Sequence, residues 1–153
     1  MTPVFKKMNV KDQESLTILN PPDSFKVEIE ALKSYGQSIK SELDKKSIEW
    51  ILIFVQSKAE VLIIMPQINQ QLIADAMLWF AYPKKSSKKY SSDISRDDGW
   101  QPLGVYGWEG VRQVAIDEDW RALRFRRVEH IKNISRSSSM AMTAEAKKRT
   151  TQK

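Results

Sequence analysis

Two stretches of this chain are apolar on both sides of the backbone, and they constrain the fold more than any other feature. Trp50-Ile51-Leu52-Ile53-Phe54-Val55 sets six apolar residues in a row, and Ala76-Met77-Leu78-Trp79-Phe80-Ala81-Tyr82 is a second such run. Side chains alternate between faces along a strand, so an uninterrupted apolar strand is buried on both. That is the condition of a strand inside a parallel sheet with helices packed on either side.

The segments between and around these runs fit that architecture. Leu16-Thr17-Ile18-Leu19-Asn20 reads as a short buried strand stopped by Pro21-Pro22, which cannot donate to a ladder. Asp23 or Ser24 then caps a helix to about Tyr35, with Phe25, Ile29 and Leu32 on its inner stripe and Gly36 placed to end it. A second strand near Ser38–Ser41 is poorly marked. After the first apolar run, Ser57 and Glu60 have the spacing of a capping box, and the helix they open kinks or restarts at Pro66 and ends near Ile73. Asp93-Ile94-Ser95-Arg96-Asp97-Asp98 resembles a helix start, with carboxylates at the positive end of the dipole. Val111–Ile116 and Ala122–Val128 read as a hairpin closed by Asp117-Glu118-Asp119-Trp120. In its second arm Leu123 and Phe125 alternate with Arg124 and Arg126, which predicts an edge strand with one wet face.

The predicted fold is therefore α/β: a three-layer, Rossmann-like, mostly parallel sheet of five or six strands closed by an antiparallel C-terminal hairpin. The predicted organisation is a flexible N-terminus over 1–8, the α/β domain over 9–131, and a disordered basic tail over 132–153. The chain is long enough for one domain with a full core. Its net charge of +6 is unevenly placed, since 132–153 carries +5 and the rest only +1. The predicted domain body is thus nearly neutral, which argues against a dedicated nucleic-acid-binding surface. No cysteine is present, so disulfides and thiolate metal sites are excluded. No apolar run approaches the roughly 18 residues of a membrane span, and the first residues have lysines without a following apolar segment, so a cytoplasmic protein without membrane association is expected.

The order of elements resembles a methyltransferase-like Rossmann sheet in miniature. More narrowly, Asn20-Pro21-Pro22, Leu78-Trp79-Phe80-Ala81-Tyr82-Pro83-Lys84-Lys85-Ser86-Ser87, Asp93-Ile94-Ser95-Arg96 and Val114-Ala115-Ile116-Asp117-Glu118-Asp119-Trp120-Arg121-Ala122-Leu123-Arg124-Phe125 are similar to a family of short bacterial proteins classed as a domain of unknown function. The resemblance covers roughly 16–128. It implies a Rossmann-like fold and a bacterial source, and it implies no activity.

A dinucleotide or S-adenosylmethionine site needs glycines and free N–H groups after the first strand. The five glycines stand at 36, 99, 104, 107 and 110, and Pro21-Pro22 removes two donors. Glu42 or Asp44 is available as a ribose-binding acid. No cofactor is expected; the alternative is a degenerate or minimal S-adenosylmethionine-dependent methyltransferase. The leading candidate site is an anion-attracting rim beyond the strand ends: Ser57 and Lys58 at a helix start, and Lys84, Lys85, Ser86 and Ser87 in the Lys84–Lys89 loop. Lysines and hydroxyls there suit a phosphate-bearing small molecule or an acidic partner, or serve only as a solvated loop. RNA association through this loop and the tail is the third reading. Asp117, Glu118 and Asp119 are either a cation site or an acidic turn, and the turn is preferred. His130 is the sole histidine, which argues against a zinc site or a Ser-His-Asp triad. Trp100, Trp108 and Trp120 either stack on a base or anchor loops to the sheet. Taken together, the sequence predicts a non-catalytic binding or interaction domain.

Overall fold

The computed structural model describes residues 2–131. The predicted tail over 132–153 lies outside the described residues. In chain order the elements are α1 (Pro3–Lys7), β1 (Leu16–Leu19), a 3-10 turn (Asp23–Phe25) leading into α2 (Lys26–Ser34), β2 (Ile39–Lys40), β3 (Ile48–Phe54), α3 (Lys58–Ile68), β4 (Leu72–Pro83), α4 (Gln101–Val105), β5 (Trp108–Ala115) and β6 (Trp120–Arg127). They form one six-stranded sheet in the order β2-β1-β3-β4-β6-β5. The fold is the predicted mostly parallel, Rossmann-like α/β sheet, with β1 to β4 parallel and an antiparallel C-terminal pair.

The alternation within the apolar runs is what builds the two cores. Ile51, Ile53, Leu78, Phe80, Leu123 and Phe125 face Val61, Met65 and Ile68 of α3 and Leu103 of α4. Trp50, Leu52, Phe54, Trp79, Ala81 and Ala122 face the other way, toward Phe5, Met8, Phe25 and Leu32. Every residue of β1 is buried, as is every residue of β3 except Glu49.

Four expectations are corrected. Residues 2–8 are not a loose lead-in: residues 3–7 form α1, Phe5 and Met8 are fully buried, and the Met8 carbonyl accepts the Trp50 indole N–H at 2.9 Å. A buried indole N–H needs an acceptor, and the N-terminal segment supplies it. Second, β6 is not an edge. It lies between β4 and β5 and runs antiparallel to both, so the outer strand is β5, which runs with the parallel set. The Arg124 and Arg126 alternation marks a partly solvated face, not an open hydrogen-bonding edge. Third, Asp93–Asp98 starts no helix. It forms a tight strap with a Ser95–Asp98 bridge, and α4 begins only at Gln101. α3 also ends at Ile68 and not near Ile73, and it carries Pro66 inside its last turn.

Candidate functional site

The chain passes from β1 outward to β2 and then back across β1 to β3. In such sheets a crevice forms outside the carboxyl ends of the strands at the point of reversal. Here that point lies between β1 and β3. A cleft of about 600 Å³ occupies it, within the roughly 300–1,000 Å³ of small-molecule sites.

Each wall of the cleft follows from local sequence. Asn20, Pro21 and Pro22 come from the exit of β1, with Asn20 held at φ 56°. Asparagine tolerates that left-handed backbone, and the two prolines then carry the chain sideways toward α2. Phe54, Val55 and Gln56 form the floor at the end of β3, and Glu60, Ile63 and Ile64 of α3 form one side. Ile63 is 62% exposed at this mouth. Tyr90 and Trp120 complete the wall from two distant segments. Trp120 packs edge-on against Phe54, ring centroids 5.1 Å apart, and lies tilted against the Tyr90 ring at 4.9 Å. Sequence reasoning placed Trp120 on a loop and gave Tyr90 no role. Only the pairing of β6 with β4, which sets Trp120 opposite Pro83, brings both here.

The predicted rim residues do stand on this edge, because β1, β3 and β4 are parallel and the loops following them emerge together. Several are already engaged. Ser57 caps α3 by accepting the Glu60 N–H at 3.2 Å, while Glu60 accepts the Gln56 N–H at 3.1 Å. The Lys58 N–H donates to the Asp93 carboxylate at 2.8 Å, and the Lys58 ammonium pairs with Asp98 at 2.8 Å. The Asp98 hydrogen bond holds the Lys58 ammonium above its usual pKa, and the same contact holds Asp98 below the usual carboxylate range. The Ser92 hydroxyl donates to the Gln56 carbonyl at 2.7 Å. The positive end of α3 is therefore filled by the protein's own strap.

In the lysine loop, Ser87 is structural: its hydroxyl donates to Asp119 at 2.8 Å and accepts the N–H groups of Lys89 and Tyr90. The Lys84 N–H donates to the Asp119 carbonyl at 2.8 Å, so the loop is pinned to the β5–β6 turn. Lys85, Ser86, Lys88 and Lys89 are exposed, and Lys84 is partly so. The Lys89 ammonium lies 5.8 Å from the Tyr90 ring centroid and contributes to holding Asp23 below the usual carboxylate range, after the direct contact with Lys26. Lysine charge thus borders the Tyr90 side of the cleft.

The remaining candidates are used internally. Asp44 accepts from Lys40 at 2.8 Å and from the Lys46 N–H at 2.9 Å, which lowers its pKa. Asp117 accepts the N–H groups of Asp119 and Trp120, both at 2.8 Å, and so shapes the hairpin turn. Among the described residues no group of three or more acids or histidines is arranged to hold a metal ion. Nor is any described helix long and apolar enough to cross a membrane. Trp100, Trp108 and Trp120 are all buried.

No protein-family model matches this sequence, and no curated protein matches it. Solved structures do match in fold. A SAM dependent methyltransferase from Aquifex aeolicus superposes with a TM-score of 0.56 at 13% identity, over 82% of this chain and 88% of that one. A variant of LepI in complex with SAH and a substrate analogue gives 0.55 at 9% identity, over 82% of this chain and 47% of that one. Sp1610 of Streptococcus pneumoniae, described as a candidate tRNA methyltransferase, gives 0.50 at 10% identity, over 92% and 75%. At these identities the likeness is one of fold: a Rossmann-like sheet of the methyltransferase type.

Proposed function

We propose that this chain is a non-catalytic binding domain whose switch-point cleft takes a phosphate-bearing small molecule. The observation that carries the reading is the cleft itself, with its aromatic and proline walls and lysines on one border. Tyr90 and Trp120 offer flat apolar surface to a ring. Lys84, Lys85, Lys88 and Lys89 supply the charge for a phosphate. Of the ionisable groups lining the cleft, Glu60 is committed to the Gln56 N–H and Tyr90 packs on Trp120. This leaves no positioned acid–base pair of the kind proton-transfer catalysis requires. A bacterial, cytoplasmic role belongs to this same reading, as does membership of the small family that the sequence resembles.

A methyltransferase-like enzyme is the second reading, favoured by the fold of the Aquifex aeolicus protein and of LepI, the latter solved with SAH. Against it stand the glycine-free Asn20-Pro21-Pro22 turn and the engagement of Asp44 with Lys40 and Lys46. Calorimetry with AMP, ATP, S-adenosylmethionine and S-adenosylhomocysteine separates the two. Binding of a phosphate-bearing compound, weakened about tenfold (~1.4 kcal/mol) in Lys84→Ala/Lys85→Ala, supports the first reading. Micromolar binding of S-adenosylmethionine that is indifferent to that double substitution overturns it in favour of the second.

A further inference from the structure

We propose that the outer face of α3 is the contact surface of a symmetric dimer, in which it packs antiparallel on the same face of a second copy of this chain. α3 turns Val61, Met65 and Ile68 into the core. At about 100° per residue, the opposite side falls to Ala59, Leu62, Ile63 and Pro66. All four are exposed, Leu62 by 61% and Ile63 by 62%. A helix with one solvated face normally carries charge on it, whereas a helix that is apolar all round is a buried one. From Val61 to Ile68 this helix has no ionisable residue. α3 thus has the composition of an interior helix with one side uncovered.

The apolar surface continues beyond the helix. Lys58, Leu62 and Asn69 share one flank of α3, the flank that meets the strap through Asp98 and the start of β5 through Trp108. α4 packs beside α3 between those two points and ends in Val105, which is 84% exposed, followed by the exposed Tyr106. Contiguous exposed apolar surface of this kind marks an interaction site.

Charge and symmetry select a second copy as the occupant. The charged residues of α3 are Lys58 and Glu60, and both are engaged, Lys58 with Asp98 and Glu60 with the Gln56 N–H. An acidic or basic partner finds no counter-charge on this face, and an anionic bilayer calls for lysines or arginines beside the apolar stripe. The face of another α3 is equally uncharged. A two-fold contact must also be self-complementary. Ala59 and Pro66 stand seven residues apart on the centre line of the face, and Leu62 and Ile63 flank that line midway between them. Turning a second helix end for end about an axis at this midpoint sets Ala59 against the partner subunit's Pro66. Leu62 then meets Leu62 of the partner subunit, and Ile63 meets Ile63 of the partner subunit. Compact residues stand where the backbones approach, and large ones close the contact on either side. A standard interface buries about 800 Å² per partner, and a helix of this length runs only about 16 Å. The dimer therefore draws in Val105 and Tyr106 and is of the small kind that dissociates on dilution.

The test is sedimentation of the full chain from about 1 μM to 1 mM, the range in which a small interface associates. The weight-average mass should climb toward twice that of the monomer. Leu62→Glu and Leu62→Lys each put like charges face to face at the axis, so each variant alone should need a concentration about tenfold higher or more to associate. An equimolar mixture of the two, in which glutamate meets lysine, should recover the dimer. Leu62 is exposed, so the melting temperature of dilute samples should stay near that of the natural chain. Leu62→Ala reads the same loss if a charged variant fails to fold. A natural chain that stays monomeric throughout overturns the proposal, including one that floats with phosphatidylglycerol vesicles instead. Undiminished association in both charged variants overturns it, and so does a mixture that associates no better than its components.

Discussion

Asp93→Ala removes the acceptor that closes the first turn of α3, and the structure fixes what that should cost. The lost contact is the 2.8 Å bond from the Lys58 N–H to the Asp93 carboxylate. Loss of a side-chain cap costs about 1 kcal/mol, in a range of roughly 0.5–2. The carboxylate's interaction with the helix dipole is part of that range at low salt and is screened at high salt. The Ser57 cap stays in place, and so does the Lys58–Asp98 pair, which is solvent-exposed and contributes little. The expected loss is therefore about 1–2 kcal/mol, or roughly 3–8 °C in melting temperature for a domain of this size. Urea denaturation should show a lower midpoint with an unchanged slope. Asp93→Asn, which keeps an acceptor oxygen but not the charge, should fall between, and added salt should narrow its gap to the natural chain. Ligand affinity should stay close to that of the natural chain, because the lysines and not the α3 terminus are proposed to hold the phosphate. An unchanged midpoint in Asp93→Ala would refute the account of the strap as the cap of α3.

Phe5→Ala should destabilise the fold by about 3 kcal/mol or more, the cost of truncating a buried phenylalanine, since Phe5 is fully buried and packs edge-on against Phe25 at 5.6 Å; thermal melts read this directly, and a change under 1 °C would restore the flexible N-terminus. Gly99→Ala should cost roughly 1–3 kcal/mol, because Gly99 has φ +109° and an added Cβ would meet Ile94 at 3.2 Å and the Lys58 stem at 3.3 Å; equilibrium unfolding checks it. Asp75→Asn should cost about 1 kcal/mol at neutral pH, a value discounted because both partners are about a third exposed. The Arg126 hydrogen bond holds the Asp75 pKa below its ordinary value. Its contribution is thus present above the unfolded-state value of about 3.9 and is lost as pH falls through the lower folded value, so the stability curves of the two proteins should converge at acid pH.

What the sequence made legible, and what it hid, divides along a physical line. The runs Trp50–Val55 and Ala76–Tyr82 identified interior strands because burial on both faces leaves a local signature. The Phe25, Ile29 and Leu32 stripe and the Ser57 cap of α3 are local in the same sense and lie where they were expected, although the Glu60 side chain returns to the Gln56 N–H and not to that of Ser57. The place of β6 in the sheet has no such signature. Arg124 and Arg126 report that one face is partly wet, and that is equally true of an edge strand and of an interior strand whose second face is thinly covered. The N-terminal anchor escaped because its reason, the Trp50 N–H, lies 42 residues away. Asp93 is the most instructive case. Asp93 was expected at the start of a helix of its own, and that helix does not exist; its carboxylate instead meets the first turn of α3, whose first residue stands 35 positions earlier. Residue type fixed the chemistry while the partner was set by the fold, and the same holds for the cleft. Lysines on its border were visible as a run of charge. Tyr90 and Trp120, which give the cleft its shape, come from a loop and from the first residue of β6, which only the β4–β6 pairing brings together.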